Sequence, residues 1–65
     1  MENRIEQLGR IIRDEFDKLT KDKPLHELLS NRLNVEMLIE TSAKNGLYDL
    51  AHEMTEDFDF ELTKI

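Results

Sequence analysis

The segment PLHELLSNRLNVEMLIETSAK, residues 24–44, decides the fold because it holds the densest group of apolar residues in the chain. Turn-forming pairs bound it on both sides, Lys23-Pro24 before it and Asn45-Gly46 after it. A shorter amphipathic segment flanks it on each side, so in a compact fold the central segment must contact both. We therefore expect an all-α fold, either a small three-helix bundle or a helical hairpin with an extra helix. Homodimerisation is a further way to complete its core.

The central segment itself allows two interpretations. A continuous helix over residues 24–45 would place most of its apolar side chains on one broad face. Ser30, Asn31 and Asn34 belong to the residue types that cap helix N-termini, so the segment could also end near Ser30 and restart near Val35. We favour the single helix, straight or kinked.

Apolar residues recur at gaps of three and four in both flanking segments, which predicts helices over residues 2–20 and 47–62. Gly9 falls on the apolar face of the first helix, where either another helix passes close or a glycine is simply tolerated. The alternation DFDF at residues 57–60 is also typical of a strand, but we interpret it as helix because no second strand is predicted. The residues expected to form the core or a dimer interface are Ile5, Leu8, Ile12, Phe16, Leu28, Leu29, Val35, Ile39, Leu50, Met54 and Phe58.

A chain of 65 residues is one domain at most, and so small a core needs additional support. The absence of cysteine excludes disulfides and thiolate zinc sites. His26 and His52 are far apart in sequence, and there is no glycine-rich phosphate-binding loop, so we expect no metal and no other cofactor. Oligomerisation or folding on a partner remains as the source of support.

Localisation follows from apolar runs and charge. No run approaches the ~18 apolar residues of a membrane span, and the N-terminus MENRIEQLGR lacks the apolar core of a signal peptide. We therefore expect a cytoplasmic protein without a membrane partner. The net charge of −6 argues against direct binding to nucleic acid, and permits binding to a basic surface of another protein.

Charge is distributed unevenly along the chain. Residues 1–46 contain nine acids and eight bases, whereas residues 47–65 contain six acids and one base, Lys64. Such an acidic segment either keeps a protein soluble or steers it toward a basic partner. Aromatic residues are interleaved with these acids, a combination that suits an interface. The predicted partner-binding residues are Tyr48, Glu53, Glu56, Asp57, Asp59 and Phe60.

Catalytic patterns are not evident. Ser30, Ser42 and the two histidines show no spacing typical of a nucleophile and its base, so we predict no catalytic residues. The favoured function is a non-catalytic adaptor or inhibitor that binds another protein, a type that would suit a bacterial or bacteriophage regulator. The alternative is a nucleic-acid mimic that occupies a basic DNA- or RNA-binding groove.

Residues 38–47, LIETSAKNGL, followed by residues 54–59, MTEDFD, resemble the small sporulation-associated aspartyl phosphatases. Members of that family are helical hairpins with a glycine-containing turn and an S-Q-E-L-D signature in the second helix. Here the signature reads TEDFD at residues 55–59, which keeps the final Asp59 and has Glu56 in place of the glutamine. The resemblance covers less than half of the chain. It implies docking onto a phosphorylated response regulator, with the acids helping to remove the phosphoryl group.

Overall fold

The computed structural model of the protein describes residues 3–64, and within that range it contains four α-helices and no strand. The helices are α1 (Arg4–Thr20), α2 (Leu25–Ser30), α3 (Arg32–Lys44) and α4 (Tyr48–Thr63). Helices α1, α3 and α4 contact one another pairwise and form an elongated bundle of 39 × 17 × 17 Å, while α2 packs against α3. The predicted all-α fold class is confirmed.

Local hydrogen bonds explain where α1 begins and how the chain leaves it. Asn3 caps the N-terminus, because its Oδ1 accepts a hydrogen bond from the backbone N of Glu6 at 2.8 Å. After the last turn the chain passes through Asp22 at φ +57°, a left-handed conformation that aspartate tolerates better than most residues. The carbonyl of Pro24 then accepts the first bonds of α2. The observed ranges 4–20 and 48–63 compare with predicted helices over 2–20 and 47–62, and residue 2 lies outside the described residues.

The prediction of a single helix over residues 24–45 is wrong, since α2 ends at Ser30 and α3 begins at Arg32. Asn31 between them has φ −89° and ψ 0°, and its Nδ2 donates a hydrogen bond to the carbonyl of Leu19 at 2.9 Å. That carbonyl is among the last four of α1, which have no partner within their own helix. Asn31 therefore provides a hydrogen-bond donor for a carbonyl at the C-terminal end of α1, at the same position where the central segment is interrupted.

The turn between α3 and α4 is a Schellman motif. Leu47 N donates to Ser42 O at 2.8 Å and Gly46 N donates to Ala43 O at 3.1 Å. Gly46 adopts φ +79°, the left-handed conformation that this motif requires and that glycine adopts without strain. The turn reverses the chain, so α4 runs antiparallel to α3 and parallel to α1.

All four helices contribute to the core. Leu28 is fully buried and brings α2 onto the core, although α2 has only six residues. Leu8, Ile39 and Leu50 are partly buried and pack around the central cluster. The buried apolar residues of that cluster are Ile12, Phe16, Leu28, Val35, Met54 and Phe58.

Gly9 is tolerated in α1 and is not required there. The atoms nearest to an added Cβ belong to two side chains, Leu47 Cδ1 at 3.7 Å and Leu50 Cδ2 at 3.8 Å. Both distances are ordinary van der Waals contacts, so an alanine would fit without displacing a neighbouring helix.

Two residues predicted for the core or a dimer interface, Ile5 and Leu29, lie on the surface of the single chain, each about half exposed. Ile5 is in the first turn of α1 beside Asn45, where α3 has already ended. Leu29 follows the fully buried Leu28 by one residue, and the resulting rotation of about 100° around α2 turns its side chain toward the surface. Neither side chain belongs to the core of the single chain.

Candidate functional site

The exposed side of α4 carries most of the residues predicted to bind a partner. At 3.6 residues per turn, Asp49, Glu56 and Phe60 lie opposite the buried side of α4, which is formed by Ala51, Met54 and Phe58, and Tyr48, Glu53 and Asp59 lie toward the flanks. Because α4 packs against both α1 and α3, this side points away from the rest of the bundle. We call it the acidic face, and its residues, all exposed, are Tyr48, Asp49, Glu53, Glu56, Asp59 and Phe60.

Aromatic side chains stand at both ends of the acidic face. Tyr48 is in the first turn of α4 and Phe60 is in its last turn, and both rings are exposed. Twelve residues of α-helix separate them by about 18 Å along the axis. The carboxylates lie between them, so the face offers apolar contact area at its ends and negative charge in the middle.

The charge of α4 is of one sign. The helix contains six acids and no lysine or arginine. Among the described residues, the carboxylates of Asp49 and Asp59 have no ion-pair partner, and Glu61 has only the distant Lys64, with Nζ to Oε2 at 3.9 Å. Negative charge is therefore concentrated on one helix and left largely uncompensated there.

Asp57, also predicted to bind a partner, is held by Arg13 of α1. The Nη2 of Arg13 donates a hydrogen bond to Asp57 Oδ2 at 2.8 Å. The same guanidinium lies 3.3 Å from Asp17 Oδ1 and 3.6 Å from Glu53 Oε1, and its carbon is 5.1 Å from the ring centroid of Phe16. Asp57 thus joins α4 to α1, and is less available to a partner than the outward carboxylates.

Arg13 stays charged in this setting. Partial burial, the largest single influence, acts to lower its pKa. The hydrogen bond with Asp57 and the charges of Asp17, Asp57 and Glu53 more than offset burial, and the pKa of Arg13 is raised above its usual value. The four-residue spacing of Arg13 and Asp17 within α1 is a local signal for an ion pair, whereas the two contacts to α4 join residues 40 or more positions apart and have no such signal.

Of the polar groups considered for metal binding and catalysis, His52 is paired, Ser42 is buried, and His26 and Ser30 are exposed on α2. His52 Nε2 lies 2.6 Å from Glu56 Oε1, one turn along the exposed surface of α4. Within residues 3–64, no three histidine, aspartate or glutamate side chains are grouped so that they could hold a metal ion. Ser42 is fully buried, and its Oγ has no hydrogen-bond partner among the described residues.

The TEDFD segment at residues 55–59 lies in the middle of α4, and its side chains point in different directions. Thr55 Oγ1 donates to the carbonyl of Ala51 at 2.8 Å, Asp57 bonds Arg13, and Phe58 is buried. Glu56 and Asp59 are exposed. Those two carboxylates are the members of the segment that a docked protein could contact directly.

A second exposed surface, not predicted from the sequence, lies on α1 and α3. Leu33 and Met37 are 74% and 64% exposed one turn apart on α3, and Ile11 of α1 is more than half exposed. Met37 lines a groove between the two helices with Leu19 and Leu38. We call this the α1–α3 face, with Leu19, Leu33, Met37 and Leu38 as its members, whereas Ile11 lines a separate cavity with Ile5 and Leu8. Leu33 and Met37 lie off the helical phase of the buried Val35, and that offset is the signal that could have identified them.

Two further findings bear on the class of protein. Within residues 3–64, no helix combines the length and apolar content needed to cross a membrane. Comparison of the chain with protein-family models, with curated proteins and with solved structures finds no match.

Proposed function

We propose that the protein is a small, non-catalytic interaction module that binds a basic surface of another protein through the acidic face of α4. One observation carries the proposal: the exposed side of a 16-residue helix presents carboxylates without any lysine or arginine, between two exposed aromatic rings. Exposed aromatic residues are enriched at interfaces relative to the rest of protein surfaces.

Binding would proceed in two physical stages. The carboxylates of Asp49, Glu56 and Asp59 attract and orient a basic partner over a range set by the ionic strength. Tyr48 and Phe60 then lose water against the partner and contribute most of the affinity, since aromatic anchors dominate binding free energies. The acids mainly set the association rate, and the aromatics mainly set the dissociation rate.

Arg13 supports this mechanism from the edge of α4 where Glu53, a member of the acidic face, meets α1. Its contacts with Glu53 and Asp57 fix the rotation of α4 relative to α1. Fixed rotation keeps the acidic face directed outward, so little conformational entropy is lost when a partner binds. The remaining negative charge is thereby presented on a preorganised surface.

The first experiment identifies the partner. The chain, immobilised through its N-terminus, is used to capture proteins from lysate of its native host, with and without nuclease, and stoichiometric prey are identified by mass spectrometry. The captured protein is then purified, and its binding to the wild-type chain is measured as a function of salt.

The decisive step compares two triple variants of equal charge change. Asp49→Asn with Glu56→Gln and Asp59→Asn neutralises the acidic face, and we expect it to slow association about tenfold and to flatten the salt dependence. The matched control neutralises three exposed acids of α1 and α3, namely Asp14→Asn, Glu36→Gln and Glu40→Gln. Equal effects of the two triples would show that only net charge matters, and would contradict a specific role for α4.

The nature of the captured protein separates the two alternatives. Competition between this chain and duplex DNA or RNA for the same prey would identify a nucleic-acid mimic. A captured response regulator would call for the rate of acyl-phosphate loss to be measured. Acceleration by the wild-type chain and not by Asp59→Ala would establish the phosphatase activity that the resemblance implies.

A further inference from the structure

We draw no further inference here: the strongest candidate, the cleft between α1 and α4 lined by Asp17, Asp57 and Glu61, is a cluster of acidic residues that Arg13 of the same chain already engages in part, and nothing else among the described residues points to a ligand for it.

Discussion

The two sides of α4 use the same residue type for opposite purposes. Phe58 is 6% exposed and lies in the core, whereas Phe60, two positions later, is 64% exposed beside the acids. Side chains two positions apart on an α-helix point about 200° apart, so alternating residues such as Phe58 and Phe60 face nearly opposite sides. The comparison shows that helical phase, and not hydrophobicity, separates the residues that hold the bundle together from those offered to a partner.

The largest expected effect tests this comparison directly. Phe58→Ala should destabilise the protein by about 3–5 kcal/mol, because it leaves a cavity in the core. A chain of this size has a total stability of about 3–10 kcal/mol, so much of the variant should be unfolded at 25 °C. Phe60→Ala should change stability by less than about 0.5 kcal/mol. Urea unfolding followed by circular dichroism measures both, and similar losses would show that Phe60 is also a core residue.

The next effect concerns the edge where the two sides of α4 meet. Arg13→Ala removes contacts with three carboxylates and with the ring of Phe16, and we expect a loss of about 1–2 kcal/mol. The control, Arg32→Ala, removes one exposed pair with Glu36 and should lose about 0.5 kcal/mol or less. Chemical denaturation at low and high salt distinguishes them. Equal losses would indicate that Arg13 does not link α1 to α4.

A smaller effect of opposite sign should appear inside the bundle. Ser42 is fully buried, and its Oγ has no hydrogen-bond partner among the described residues, so Ser42→Ala should stabilise the protein by about 1 kcal/mol. Ser30 is exposed at the end of α2, and Ser30→Ala should stay within about 0.5 kcal/mol of the wild type. Thermal unfolding compares the two. A destabilising Ser42→Ala would show that the hydroxyl is bonded in solution.

The smallest expected effect compares two glycines. Gly9→Ala should stabilise the protein by about 0.5–1 kcal/mol, because alanine favours the helix and its Cβ meets only ordinary contacts with Leu47 and Leu50. Gly46→Ala should instead destabilise it by about 1 kcal/mol, since Gly46 has φ +79°. Changes of the same sign in the two melting temperatures would contradict the distinction between a tolerated glycine and a required one.

Much of the fold could be predicted from local patterns. Three- and four-residue spacing identified α1 and α4, and Asn45-Gly46 marked the turn that the structure shows as a Schellman motif. The end of α2 could not be predicted with the same ease, because the bond from Asn31 to the carbonyl of Leu19 joins residues that are distant in sequence. Local helix propensity allowed both a continuous and an interrupted helix over the central segment. The structure has the interrupted form, in which Asn31 bonds to α1.

The candidate site also contains features that follow from the local sequence pattern and features that depend on tertiary contacts. The exposure of Tyr48 and Phe60 follows from helical phase once the core is known. The engagement of Asp57 by Arg13 does not, because it depends on the parallel packing of α1 against α4. The α1–α3 face was missed because Leu33 and Met37 were counted with the apolar content of the central segment, without regard to the direction of each side chain.

The shortness of α2 has a consequence for hydrogen exchange. A six-residue helix has almost no stability of its own in water. Helix α2 therefore stays folded only while Leu28 is buried in the core and Asn31 donates its hydrogen bond to the carbonyl of Leu19. The amide protons of α2 should therefore exchange through a local opening that leaves α1, α3 and α4 intact. Such an opening would uncover one end of the core, and this transiently populated state is where proteolysis would begin.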